Sequence, residues 1–247
     1  MEILKIEDMS FRIGERTALK NINLEVDERE ILPVLGADRE AKRALLRLIA
    51  GGHLKNALYV NCPEAVLGIR LSQDAYYAEC ARIPFGFMTV KQYFRYSTAL
   101  LGDQRLAARL PFYLEKTGMA SKLNVKLKRL SPAALLAVSV AVRLPEQKPV
   151  LVINADGLTF SRACAAQLNR MLKGLTELGK TVILSVSDPR LAPEGTGRLA
   201  VLKRDGCLDA GTRAEMTEKY FPAEPPKCSS CRLAAALKLK AGQKRAV

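Results

Sequence analysis

The sequence predicts an α/β fold: a mainly parallel sheet flanked by helices, with an N-terminal antiparallel β portion and a helical insertion. Three observations predict it. Short apolar runs bounded by turn residues alternate with segments whose apolar residues recur at helical spacing, which is the signature of βα units. The chain is 247 residues long, enough for one large α/β domain or a domain with a small insertion. Its composition, 49 % apolar and 26 % charged, is that of a globular protein and excludes disorder, collagen and coiled coil.

The elements follow in order. Residues 3–7 alternate loosely, and Ile22, Leu24 and Val26 alternate cleanly, as half-buried strands do. Ile31-Leu32-Pro33-Val34-Leu35 reads as a short buried strand ending at Gly36, although Pro33 removes one ladder donor. Ala41–Ala50 carries good helix formers, with Leu45, Leu48 and Ile49 on one face. The stretch 75–131 lacks strong strand runs and shows helical spacing in Tyr93, Tyr96, Leu100 and in Leu106, Leu110, Leu114, so it is expected to be mostly helical. Val150–Ile153, Val182–Leu184 and Leu199–Leu202 are further strand candidates. Leu168, Met171, Leu172, Leu175 and Leu178 mark a helix between the first two of these. The Pro-rich FPAEPPKCSSC after Tyr220 opens a linker and tail, with a short helix at Arg232–Lys240.

The net charge is +14, and the segment from Lys227 to Val247 holds six basic residues and no acid. Such a charge suits nucleic acid, anionic lipid or an acidic protein surface. Against the nucleic acid and lipid readings of the tail stands a plain solvated charge run. His53 is the single histidine, which excludes most His-based metal sites and argues against Ser-His-Asp or Cys-His catalysis. The six cysteines (62, 80, 164, 207, 228, 231) read as reduced thiols. Cys228 and Cys231 have half of a zinc-ribbon spacing but no second pair. No apolar run approaches the roughly 18–20 residues that span a bilayer, and MEILKIEDMS lacks a signal-peptide core, so export is not expected.

The order of these elements is recognisable. FRIGERTALKNINLEV, the strand-turn-helix at 31–50, Gln73, the LSPAA at 130–134 and the strand at 150–154 resemble the ATP-binding subunit of ABC transporters over about residues 2–220. Leu130 lies 24 residues before Asn154 and Ser187 lies 33 after it, the offsets that the family keeps between its signature, its Walker B Asp and its switch His. The resemblance implies a P-loop NTPase-like, ABC-type fold. Residues 1–74 and 132–222 would form the nucleotide-binding core, 75–131 a helical subdomain, and 223–247 a linker and basic tail.

The family's chemistry is matched less well than its frame. The P-loop GxxxxGK[ST] cradles phosphates with backbone N–H groups, its Lys and an Mg²⁺-binding hydroxyl. Here it reads Gly36-Ala37-Asp38-Arg39-Glu40-Ala41-Lys42-Arg43. Gly36 and Lys42 stand in place, Ala41 replaces the second Gly, Arg43 replaces the hydroxyl, and Asp38 and Glu40 add negative charge. At the end of the Walker B strand Asn154 replaces the Mg²⁺-ordering Asp and Ala155 replaces the catalytic Glu. Asp156, one position late for that base, reads as a turn residue pointing away. Ser187 stands at the switch His, Ile13 at the adenine-stacking aromatic, and Thr159-Phe160-Ser161 at the loop after Walker B. In the signature Leu130, Ser131, Pro132, Ala133 and Ala134, Ser131 is a good N-cap and Pro132 a good first helical residue, whereas the phosphate-binding glycines are gone. Gln73 matches the hinge into the helical subdomain, where the family's subunits receive a coupling helix of the membrane partner.

The expectation is a degenerate ABC-type subunit without hydrolysis, peripheral on the cytoplasmic face of the cell membrane. It would be a structural or regulatory partner of a permease subunit, of a competent ATPase subunit, or both. ATP and Mg²⁺ would bind weakly or not at all, at Gly36, Lys42, Arg43 and Gln73. The basic tail would touch anionic lipid. Two alternatives stand beside it: a divergent but active ABC ATPase, and a soluble regulator that binds another anion or nucleic acid.

Overall fold

The computed structural model describes residues 2–13, 16–50, 57–60, 75–79, 85–100 and 108–221. Two sheets organise them. Strands β1 (Glu2–Ile13) and β2 (Arg16–Asp27) form a long antiparallel hairpin, and β4 (Ala57–Val60) joins its edge, giving the order β2-β1-β4. The hairpin register shifts at several points, one of them between Ile6 and Met9, where Asp8 takes a φ of 48°. The second sheet has six strands in the order β5-β6-β7-β3-β8-β9, built from β3 (Ile31–Leu35), β5 (Ala75–Glu79), β6 (Val150–Asn154), β7 (Thr181–Ser185), β8 (Arg198–Leu202) and β9 (Leu208–Thr212). Its pairs are parallel except the last, β8 with β9.

Six α-helices are described: α1 (Arg39–Ile49), α2 (Val90–Leu100), α3 (Leu110–Lys116), α4 (Pro132–Ala141), α5 (Arg162–Glu177) and α6 (Arg213–Tyr220). Successive side chains of a strand point to opposite faces, and the core divides accordingly. Leu32, Val34, Val150, Val152 and Ile183 pack on one face with α1 and the β1–β2 hairpin. Leu151, Ile153, Val182 and Leu184 pack on the other with α4 and α5. Burial on both faces is why β3, β6 and β7 read as continuous apolar runs rather than alternating ones.

The sequence expectation needs correction at several places. Residues 75–79 are not helical: they form β5, paired in parallel with β6, a strand that reads weakly because its two tyrosines and Glu79 interrupt the apolar pattern. The helix expected from Tyr93, Tyr96 and Leu100 exists as α2, but its buried face is Val90, Phe94 and Thr98, while Tyr96 and Leu100 are exposed. In α1, Leu46 rather than Leu48 is fully buried. Pro33 does lie in a central strand, and the β3–β8 ladder comprises only Val34 and Leu35 beyond it. Gln73, His53, Cys228, Cys231, the 223–247 tail and its expected helix lie outside the described residues.

Candidate functional site

Strand β3 delivers the chain to Gly36, whose φ of 149° is open to glycine. A Cβ there would stand 2.5 Å from the Leu202 carbonyl oxygen, so the glycine lets the end of β3 lie against the end of β8. Two residues later Asp38 starts α1. Its Oδ1 accepts from the Ala41 N–H at 3.0 Å, and its carbonyl accepts from the Lys42 N–H at 3.1 Å. An acidic N-cap is favourable both as a hydrogen-bond acceptor and against the helix dipole. It also occupies the position where a helix N-terminus would otherwise receive a phosphate.

Lys42 is the fourth residue of α1 and lies on its buried face, with no exposed surface. Its ammonium donates to Asp156 Oδ1 at 2.5 Å, to the Val186 carbonyl at 3.0 Å and to Ser187 Oγ at 3.4 Å. A lysine has three N–H protons, so these three acceptors use its donor capacity. Burial pushes the Lys42 ammonium below its usual range, against the opposing hydrogen bond and charge of Asp156.

Asp156 is the hub on the other side. It is 5 % exposed, and its Oδ1 accepts from Ser187 Oγ at 3.0 Å while its Oδ2 accepts from Ser185 Oγ at 2.7 Å. Its own N–H donates to Asn154 Oδ1 at 3.0 Å, which tightens the turn after β6. Here the sequence expectation was wrong: Asp156 sits in a turn but points into the site. Position 156 is two residues past 154 and so keeps its face of the strand. The parity with Asn154 was a legible signal, and Ser185 on the neighbouring strand was a second group missed.

The other expected site residues separate. Asn154 is buried and braces the turn, and Ser187 joins the cluster. Ala155 is 0 % exposed, with its N–H on the Ser185 carbonyl at 2.9 Å and its methyl in the α4–α5 side of the core. Arg43 points outward, away from Lys42. Ser131 caps α4 as expected, accepting from the Ala134 N–H at 3.3 Å, with Pro132 at the first helical position. Ala133 and Ala134 are buried in the core and Leu130 packs on its edge. After Walker B, Phe160 lies under the Arg190 guanidinium, 4.2 Å from the ring centre, and Arg190 bonds both oxygens of Asp188 at 3.0 and 2.7 Å. That pairing holds the Asp188 carboxyl below its usual range.

No protein-family model matches the chain. It is 25 % identical over 242 residues to the phosphonates import ATP-binding protein of Bdellovibrio bacteriovorus, covering 89 % of this chain and 92 % of that one. It is also 25 % identical over 222 residues to an energy-coupling factor transporter ATP-binding protein of Thermotoga maritima, covering 84 % and 80 %. Among solved structures it superposes on a nucleotide-free ATP-binding cassette from an ABC transporter with a TM-score of 0.72 at 16 % identity, over 91 % of this chain and 96 % of that one. An ATP-binding cassette in its ADP conformation gives 0.71 at 18 % identity, with the same coverage. The expected resemblance and the cassette fold therefore both stand.

Proposed function

We propose that this chain, a relative of ABC-transporter ATP-binding subunits with their cassette fold, works by docking rather than by hydrolysing ATP. Its partners would be a membrane permease subunit, a competent ATPase subunit, or both. One observation carries the reading: the lysine that would meet nucleotide phosphate is fully buried and bonded to Asp156, Val186 and Ser187 of its own chain. The chain supplies its own anions, Asp38 at the helix N-terminus and Asp156 at the ammonium. A nucleotide entering here would have to displace two carboxylates without gaining an Mg²⁺-binding hydroxyl or a catalytic carboxylate in return.

The site's remaining residues fit ATP and Mg²⁺ poorly. Position 43 is a cation, Asn154 is a weaker Mg²⁺ ligand than Asp, and Ala155 has no acid–base group. The helical region after β5, described at 85–100 and 108–130, would then serve as the surface that meets the permease, on the cytoplasmic side of the membrane. No described helix is long and apolar enough to cross a bilayer.

The test is titration calorimetry and steady-state turnover with Mg-ATP on the purified chain. The expected outcome is no saturable binding below about 1 mM and no phosphate release above the uncatalysed rate. A micromolar constant together with turnover that Lys42→Ala abolishes would make the chain a divergent, active ATPase instead.

A further inference from the structure

The two sheets meet edge to edge. Strand β2 is the outer strand of the first and β9 of the second. They are tied at two points: the Lys20 N–H donates to the Gly206 carbonyl at 2.8 Å, and the Arg198 guanidinium donates to the Glu25 carbonyl at 3.0 Å. Between the hairpin and the β9–α6 unit lies a cleft of about 690 Å³. Buried Ile6, Leu24, Leu208 and Met216 form its apolar floor, and exposed Glu7, Glu25 and Glu215 stand around them. None of Gly36, Lys42, Asp156 and Ser187 lines it, so it is separate from the candidate site.

The walls of the cleft reverse the charge of the chain. Segments 3–8, 23–30 and 208–220 hold nine acids against four bases, in a chain of net charge +14. The two cations of the lining are engaged within the fold: Arg198 also reaches Glu30 at 3.3 Å, and Lys219 bonds Asp209 at 2.8 Å. Glu7 and Glu25 share one lysine, Lys5, at 2.7 and 3.6 Å, and exposed pairs of this kind contribute little. An apolar floor within an acidic rim suits an occupant that is both basic and apolar.

We propose that this cleft is the docking site of the basic segment Lys227–Val247 of the same chain. That segment has six bases and no acid, and it sets Leu233, Ala236 and Leu237 at helical spacing with Lys238 and Lys240 beside them. It also leaves from the right place. Met216 and Lys219 of the cleft lining belong to α6, and the described chain ends at Phe221, one residue past that helix. Arg232 lies eleven residues beyond Phe221, a reach of at most about 36 Å. So short a linker gives the segment an effective concentration on the order of millimolar at the cleft, ahead of a separate partner of the same charge. The acidic rim repels an anionic membrane and nucleic acid alike, so neither is its occupant. The docking does not depend on how the chain handles nucleotide.

The experiment is zero-length carbodiimide cross-linking of the full chain, which joins a lysine amine to a carboxylate in contact with it, read by mass spectrometry. Lys238, Lys240 and Lys244 are expected to link to Glu7 and Glu25 of the hairpin and to Glu215 and Glu218 of α6. Glu7→Lys/Glu25→Lys should lower the links to Glu215 and Glu218, which it leaves in place, by about tenfold. Glu115→Lys/Glu194→Lys, an equal charge change on exposed sites elsewhere, should lower them less than about twofold. All four positions are exposed, so the variants keep the fold, and circular dichroism checks this. The reversal on the other side, Lys238→Glu/Lys240→Glu, should lower the links of Lys244 in the same way. A mixture of light and isotope-labelled chains separates a chain's own segment from a neighbour's, and phosphatidylserine vesicles test lipid as the competing partner. Links to Glu115 and Glu194 as frequent as those to the cleft, equal effects of the two carboxylate pairs, links only between light and labelled chains, or vesicles that strip the links at physiological salt would each overturn the proposal.

Discussion

Lys42 and Asp156 cannot be removed one at a time without leaving a buried charge that lacks its counter-ion. Asp156→Ala leaves a fully buried ammonium with only the neutral acceptors Val186 and Ser187, and a broken buried pair costs roughly 3–5 kcal/mol. Replacing both, as Lys42→Met with Asp156→Leu, is expected to recover most of that loss, because apolar groups of similar volume need neither desolvation nor partners. Urea unfolding of the two singles and the double measures this coupling; additive losses would show that the pair does not hold the P-loop together. Gly36 is the second residue-scale case. Gly36→Ala should cost about 1–3 kcal/mol in a chain without any nucleotide, because its Cβ would collide with the Leu202 carbonyl at 2.5 Å. A neutral result would mean that the β3–β8 approach is softer than it looks.

At the scale of elements, two junctions set the stability of the frame. Helix α5 crosses α3 so closely at Gly174 that a Cβ would lie 1.7 Å from the Lys116 carbonyl oxygen. Gly174→Ala is expected to lower the thermal midpoint by several degrees, more than a Gly→Ala change in an open helix could gain. Strand β9 is tied to α6 by Asp209, which accepts from Lys219 at 2.8 Å and from the Tyr220 hydroxyl. The Lys219 hydrogen bond, followed by that of Tyr220, holds this carboxyl down at about 2, below the ordinary 3.8. The unfolded chain therefore binds more protons between these values, so the junction's stabilising effect is present above 3.8 and is lost as pH falls towards 2. Asp209→Asn should flatten the slope of urea midpoint against pH below 4; an unchanged slope would remove Asp209 as its source.

The same scale shows what was legible in the sequence. β3, β6, β7 and α5 announce themselves through runs and periodicity, because two-sided burial and one apolar helical face leave clear patterns. Ser131 and Pro132 announced α4 through capping chemistry. β5 did not, since a strand of mixed Tyr, Ala and Glu is decided by its pairing with β6 rather than by its own pattern. The inward turn of Asp156 was hidden for a related reason: it depends on Lys42, a residue 114 positions away.

For the whole molecule, the shared sites of the cassette family give the assembly prediction. In a complex with a competent subunit, hydrolysis should depend on that subunit's own Walker B carboxylates. Removing the partner's catalytic Glu should abolish turnover, whereas Ala155→Glu here should not raise it, because position 155 is 0 % exposed and faces the α4–α5 core. A buried carboxylate there should instead cost stability. If Ala155→Glu raises the rate while the partner's variant does not lower it, the active centre lies in this chain. The internal anions have a further consequence for the living cell. A protein that binds nucleotide only when folded grows more stable as nucleotide accumulates, by RT ln(1 + [L]/Kd). If the internal pairing of Lys42 with Asp156 keeps nucleotide out, as proposed, this chain would have no such dependence. Its abundance, and any scaffold built on it, would hold steady through starvation, when the energy charge falls and its working relatives lose their ligand.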